Sequence, residues 1–236
     1  MTKRAVWLIV ALSVLIVSGS GRASGLSYAP GDVFISLETG PTQWWFANGT
    51  LNRVLVGTVP GTGEGMGFDS SGNLYVTRWC MDPWCSTANT VEKFNVVGQS
   101  MGAVGSGYNC NPHAILFDPT DTAYIGQAGC SGAIMKVAPG QDRNPTIIPV
   151  EWEGQGSFWI DLAPDGCTMF YTSYGLNVKR IDTCTGQQLP DFNVVPLPGA
   201  VTHDVRVLPD GGAIVANGEV ITRLAADGMP VQTYAV

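Results

Sequence analysis

The chain is short of positive charge, of histidine and of long apolar stretches. Twelve Lys and Arg stand against 19 Asp and Glu, giving a net charge of −7, and charged residues of both signs make up only 13% of the sequence. Nucleic acids and anionic membranes are gripped by clustered Lys and Arg that neutralise phosphate, so this balance argues against either as a partner. The sequence also lacks a nucleophile elbow, a P-loop, an H-E-x-x-H helix and a dinucleotide fingerprint, which leaves no ready-made hydrolase or nucleotide chemistry to build on. One apolar run exceeds strand length, residues 5–17. It is shorter than the roughly 20 residues needed to span a bilayer. Lys3 and Arg4 precede it and the small, polar SGSGRAS follows it, the order of a secretory signal peptide cleaved after Ala23. The expectation is a signal over residues 1–23, a lead-in over 24–30, export to the periplasm or medium, and no membrane span after cleavage. No Cys follows the apolar run closely, which argues against a lipoprotein.

What is plentiful is turn chemistry: 30 Gly and 15 Pro punctuate short runs rich in Val, Ile, Tyr and Phe. The punctuation is periodic. EGMGFDSSGNLYVT from Glu64 recurs as HAILFDPTDTAYIGQ from His113, FWIDLAPDGCTMFYT from Phe158 and HDVRVLPDGGAIVAN from His203. Aligned on the turn, the equivalent residues are Gly72, Asp121, Gly166 and Gly211, separated by 49, 45 and 45 residues. GDVFIS, with Gly31 in the glycine place, supplies the second half of a further unit. A period of this size headed by a hairpin signals an all-β propeller over residues 31–236, whose units bury their faces only by stacking on one another. Each complete blade is expected to have four antiparallel strands, the first innermost. Five blades can be traced, the first without its innermost strand, so the expected whole is a truncated or open ring of six or seven blades.

Blade by blade, the expected strands are VFISL, QWWFA and LNRVLVG in the first, with Asn48-Gly49 read as a type I′ hairpin turn. The adjacent Trp44 and Trp45 then face opposite sides, one of them toward the core. In the fourth blade the strands are FWIDLA, TMFYTSY, NVKRID and FNVVPL. The turn residues Asp69, Asp118, Asp165 and Asp210 are read as Asx-turn formers rather than calcium ligands, since each lies at a chain reversal with no ladder of oxygens after it.

All six Cys lie beyond the signal, in a chain bound for an oxidising compartment. Cys110 and Cys130 sit symmetrically about one expected hairpin, Cys167 and Cys184 about another, and Cys80 and Cys85 flank MDPW in a loop. The expected disulfides are therefore Cys80–Cys85, Cys110–Cys130 and Cys167–Cys184. A zinc site on C-x4-C alone is the weaker reading.

The repeats PHAILFDPTDTAYIGQ and EGMGFDSSGNLYVTR resemble the unit of NHL-type propellers, and LNVKRIDTCTGQ resembles the outer strands of streptogramin-lyase-like propellers, over roughly residues 30–236. That resemblance implies a propeller fold and, for function, a range from interaction modules to gluconolactonase-like hydrolases holding a divalent metal, streptogramin lyases and peptidyl-hydroxyglycine lyases. In the last group, His residues head innermost strands, a placement similar to that of His113 and His203.

Both His of the chain occupy one repeat position, and Glu64 and Phe158 occupy it in the other complete blades. Strand starts converge at one end of a propeller channel, so Glu64, His113 and His203 together offer a carboxylate and two imidazoles, a set suited to zinc or another divalent ion such as calcium. Asp204 follows His203 directly and is expected on the opposite side of an extended strand. Asp161 and Arg206 share a repeat position and are expected to pair between blades. Trp79, Trp84 and Tyr108, expected in loops, are candidates for an aromatic ligand rim. The preferred reading is an exported module that binds a protein, peptide or small molecule. Its alternatives are a metal-dependent lyase or hydrolase at the channel mouth and an envelope scaffold.

Overall fold

The hairpins are built on one turn, used repeatedly. In the second blade Gly72 N–H donates to Asp69 O at 2.9 Å and Asp69 N–H to Asn73 O at 3.1 Å, and the same pair of bonds recurs around Asp118, Leu208, Asn95 and Ala225. This is a type I turn followed by a left-handed residue, which resets the register by a one-residue bulge. The five aligned turn residues Gly31, Gly72, Asp121, Gly166 and Gly211 all have positive φ, between 62° and 89°. Asp121 is the one that carries a side chain there, and Asp is among the few residues that tolerate the left-handed region. The Asp side chains close the turns as expected: Asp69 Oδ1 accepts from Asn73 N, Asp118 Oδ1 from Thr122 N, Asp165 Oδ1 from Thr168 N and Asp210 Oδ1 from Gly212 N, at 2.8–3.0 Å. Asn48-Gly49 uses this turn too. Only Gly49 has positive φ, whereas type I′ needs both central residues there, so the expected type I′ hairpin is replaced by the turn-plus-bulge form.

This computed structural model describes residues 27–37, 40–80, 89–108, 111–129 and 132–235. The expected signal peptide lies outside them, as do Trp84, Cys85, Cys110 and Cys130. Among the described residues there is no helix long and apolar enough to cross a membrane. The described residues form an all-β propeller of five antiparallel blades, four with four strands and the first with three.

The first blade comprises β1 (Val33–Ile35), β2 (Thr42–Trp45) and β3 (Leu51–Leu55). The second comprises β4 (Thr62–Phe68), β5 (Leu74–Trp79), β6 (Thr90–Phe94) and β7 (Ser100–Val104). The third runs β8 (Pro112–Phe117), β9 (Ala123–Gln127), β10 (Ala133–Val137) and β11 (Thr146–Pro149). The fourth runs β12 (Ile160–Leu162), β13 (Thr168–Tyr171), β14 (Lys179–Asp182) and β15 (Gln187–Leu189). The fifth runs β16 (Thr202–Val207), β17 (Ala213–Asn217), β18 (Val220–Leu224) and β19 (Pro230–Ala235). In every blade, strands pair in sequence order, as a meander.

Alternation along each strand sends one set of side chains to each neighbouring blade. Phe34, Trp44 and Leu55 of the first blade pack on Leu74, Val76 and Phe94 of the second, while Val91 packs with Ile115 and Ile125 of the third. A larger cluster runs through the third, fourth and fifth blades. Trp44 is the core member of the Trp pair, fully buried with its indole N–H on Asp32 Oδ2 at 2.7 Å, and Trp45 is half-buried.

The fourth blade departs from expectation in its outer strand, which is β15 and not FNVVPL. A tight turn at residues 183–186, with Gly186 at φ 77°, returns the chain at once to pair with β14. The displaced segment instead drops Phe192 into the core against Phe170, ring centroids 4.8 Å apart, and Asn193 Oδ1 accepts from Val178 N at 2.7 Å. The disulfide Cys167–Cys184 closes this hairpin as expected, with Cα atoms 5.4 Å apart. Cys80 is also disulfide-bonded, to a partner outside the described residues. The expected Cys80–Cys85 and Cys110–Cys130 bonds thus involve residues that are not described.

Candidate functional site at the head of the innermost strands

A β-bulge interrupts three innermost strands at one place. The pairing slips between Gly63 and Met66 in β4, between Pro112 and Ile115 in β8, and between Thr202 and Val205 in β16. The first residue of each slip is Glu64, His113 or His203. A bulge places two residues opposite one and re-aims their side chains. The strict alternation that set Asp204 against His203 does not hold here, because the two share the bulge.

The backbone of each His is fixed by a threonine from the preceding blade. Thr77 Oγ1 donates to His113 O at 2.7 Å and Thr172 Oγ1 to His203 O at 2.5 Å. Each hydroxyl also accepts from its own blade's innermost strand, Gly65 N at 2.8 Å and Trp159 N at 3.1 Å. The approach is close enough that a methyl group at Gly65 would lie 2.2 Å from the His113 carbonyl oxygen.

These strand heads converge. Glu64 Oε2 lies 3.8 Å from His113 Nε2. The His113 ring stacks obliquely on Phe158 with centroids 3.8 Å apart, and Phe158 in turn meets His203 edge-on at 5.8 Å. Trp79 meets His113 edge-on at 5.5 Å, and Tyr174 meets both Phe158 and His203 at 4.8 Å. Four blades in succession thus place one side chain each at this end of the channel, with Trp79 and Tyr174 beside them.

Burial dominates the electrostatics. His113 is pushed down to about 3 by loss of water, against the smaller opposing effect of a hydrogen bond that its ring donates to the Phe158 backbone carbonyl, so its imidazole is neutral. Its Nδ1 is buried and makes no hydrogen bond. Burial also lowers His203. It raises Asp204 to about 6, opposed by the charge of Arg206. Asp161 is raised by burial, and Arg206 and the Val207 N–H pull the other way. The expected ion pair between blades is formed, Arg206 Nη1 to Asp161 Oδ1 at 3.4 Å, with Val207 N donating to Asp161 Oδ2 at 2.7 Å.

The structure therefore brings Glu64 and His113 together and links His203 to them through Phe158. Among the described residues, the one group of potential metal ligands whose atoms all lie within 4.8 Å of each other is Cys167, Asp182 and Cys184. Its sulfurs are joined as a disulfide and offer no thiolate. Of the expected rim residues, Trp79 borders the histidine cluster, whereas Tyr108 is elsewhere. Its hydroxyl donates to Val104 O at 2.7 Å, and its ring lines a cavity of about 250 Å³ between the second and third blades with Tyr75, Lys93 and Phe117. Sequence reasoning missed Tyr174 and the paired threonines. Thr77 and Thr172 are the last residues of the repeat segments EGMGFDSSGNLYVT and FWIDLAPDGCTMFYT, and that shared place was the available signal.

No family model matches the chain, nor does any curated protein. Among solved structures, a protein of unknown function from Bacteroides caccae is similar with a TM-score of 0.65 at 11% identity, over 87% of this chain and 78% of that one. The computationally designed Ika8 protein is similar with a TM-score of 0.58 at 12% identity, over 87% of this chain. This chain spans 59% of the length of Ika8. At such identities the likeness is one of fold.

Proposed function

We propose that this propeller is an exported binding module that takes its ligand, a peptide, protein segment or small molecule, at the channel end formed by Glu64, His113, Phe158 and His203. The observation that carries the reading is the convergence of these four side chains from four successive blades at one repeat position, where three of the four innermost strands bulge. Their backbone is held by the fold, so the surface they offer is preformed, with aromatic faces, a neutral imidazole and one carboxylate. The disulfide Cys167–Cys184 supports an oxidising compartment. N-terminal sequencing of protein recovered from the medium or periplasm, beginning at Ser24, would establish export. Ligand screening by melting temperature, with His203→Ala and Phe158→Ala run beside the parent, tests the site: true ligands raise the parent's melting temperature and lose that shift in both variants. Ligands that shift all three proteins alike would place binding elsewhere and defeat the reading.

A second reading, a metal-dependent lyase or hydrolase, draws on His113, whose imidazole is neutral beside a carboxylate with Nδ1 in no hydrogen bond. Glu64 and His113 would hold the ion, and His203 would need to move to join them. A bound divalent ion would supply Lewis-acid polarisation of a carbonyl. Elemental mass spectrometry of the purified protein after exposure to zinc, manganese and calcium decides this reading. About one ion per chain, lost in His113→Ala and His203→Ala, supports it, and no bound ion removes it.

A further inference from the structure

The cavity between the second and third blades has a counterpart between the first and second that a side chain fills. Tyr28 lies there edge-on to Phe34, Trp44 and Phe68, with ring centroids 4.7, 4.8 and 5.6 Å away. Strand register carries those three residues onto Tyr75, Lys93 and Phe117. Phe34 pairs with Trp44 as Tyr75 pairs with Lys93, and Phe68 lies opposite Leu74 as Phe117 lies opposite Ala123. All three equivalents line the cavity. Tyr75 and Phe117 stand 4.7 Å apart, close to the 5.2 Å between Phe34 and Phe68. The cavity therefore takes the place of the Tyr28 ring, with the Lys93 stem where the Trp44 indole would stand. The fourth blade follows the same pattern: Phe170 pairs with Arg180, and Phe192 meets Phe170 at 4.8 Å with the Arg180 guanidinium 5.5 Å over its ring. In two interfaces, then, an aromatic ring from elsewhere in the chain fills this position.

We propose that this cavity binds a small aromatic amine in its protonated form, the ring entering beside Tyr75 and Phe117 as Tyr28 does beside Phe34 and Phe68, and the ammonium group meeting Asp142 at the mouth. The interior suits a ring, being apolar at Val91, Ile115 and Ile125, and Tyr108 walls one side. A volume of about 250 Å³ exceeds the roughly 150 Å³ that holds one benzene, which leaves room for a short alkyl tail. Charge selects the sign of the polar group, since the lining carries Asp69, Asp121 and Asp142 against Lys93 alone. Lys93 is already committed, 3.5 Å from Asp69, and Asp121 Oδ1 accepts from Ser70 N at 2.7 Å. A ligand carboxylate would have to take Lys93 from Asp69 and face the other two acids. Asp142 is exposed and, among the described residues, has no hydrogen-bond or ion-pair partner. Burial pushes the Tyr108 hydroxyl pKa up and the Asp142 charge adds to the rise, so that carboxylate stands near the Tyr108 wall. The site is distinct from the histidine cluster: β8 has His113 near its head and Phe117 at its other end.

The probe is phenethylamine at neutral pH, titrated calorimetrically into the full chain, with phenethyl alcohol and phenylpropionate as its neutral and anionic counterparts. Saturable binding of the amine is expected, with amide chemical shifts moving at Tyr75, Lys93 and Phe117 and staying fixed at His113 and His203. The alcohol should bind severalfold more weakly, as fits one exposed ion pair, and phenylpropionate more weakly again. Asp142→Asn should bring the amine down to the affinity of the alcohol and leave the alcohol unchanged; its exposure spares the fold. Ala123→Leu, which fills the cavity from the third blade, should abolish binding of both, and Ala138→Phe at the exposed mouth serves the same purpose should that variant misfold. Four results would each overturn the proposal: no saturable binding of the amine, equal binding of amine and alcohol, an advantage of the amine that survives Asp142→Asn, or binding that survives the filled cavity.

Discussion

Thr77 holds His113 by its backbone and not by its ring: the hydroxyl donates to the His113 carbonyl at 2.7 Å while accepting from Gly65 N–H at 2.8 Å, so one oxygen ties three strands in two blades. Thr77→Val keeps the volume and removes both bonds, stranding a buried N–H and a buried carbonyl. The expected cost is about 2–4 kcal/mol of stability in urea denaturation, from the usual penalty for two stranded groups. Thr77→Ser retains the oxygen and should cost less than half as much. Equal effects of the two variants would show that the bridge contributes little.

Acid should destabilise the fold through His113 and stabilise it through Asp204. The folded-state pKa of His113 lies near 3, below its ordinary 6.5, so between those values the unfolded chain binds a proton that the folded chain does not. Stability from this group rises with pH across that window by on the order of 1 kcal/mol per pH unit. Asp204 runs the other way: raised from 3.8 to about 6, it favours the folded state at low pH and loses that contribution as pH climbs through 6. The two slopes oppose each other between about pH 4 and 6. Asp204→Asn should therefore steepen the loss of stability on acidification, and His113→Gln should flatten it. Denaturation midpoints from pH 3 to 8 would show whether the slopes separate in this way.

Arg78 and Glu92 form a buried ion pair inside the second blade, with side chains 4% and 0% exposed. Glu92 also accepts from Thr58 N at 2.7 Å and from the Ser100 hydroxyl. Glu92→Ala leaves the Arg78 guanidinium buried and unpaired, and about 3–5 kcal/mol of destabilisation is expected. The double variant Arg78→Met with Glu92→Met should recover most of it, measured in the same denaturation series.

Reducing Cys167–Cys184, or replacing both with Ser, opens a loop whose ends are 17 residues apart. A loss of about 2–3 kcal/mol is expected from loop closure. Hydrogen exchange should then quicken in β14 and β15 before it does in the other blades.

Much of this fold was legible because turn chemistry and packing repeat together. Positive φ at five aligned positions follows from Gly and Asp at those places, and the Cys167–Cys184 bond followed from symmetry about a hairpin. The outer strand of the fourth blade was not legible, since FNVVPL has a better strand composition than GQQLP; the decision lay with Gly186 and with the core's demand for Phe192. At the channel end, repeat position was enough to place Glu64, His113 and His203 near one another. It could not show Phe158 packed against both imidazole rings, or the bulge that undoes simple alternation at Asp204. A bulge depends on which hydrogen bonds the neighbouring strand offers, and single-sequence periodicity carries no trace of that.

The bulge position also separates what the scaffold needs from what the site displays. At His113 and His203 its backbone is anchored from outside, by a threonine in the blade before, so the strand does not rely on the side chain for its hold there. Glutamate, histidine and phenylalanine already occupy it within one molecule. Four letters at residues 64, 113, 158 and 203 can thus be rewritten as a set, and the ring becomes a frame on which recognition is changed by spelling alone.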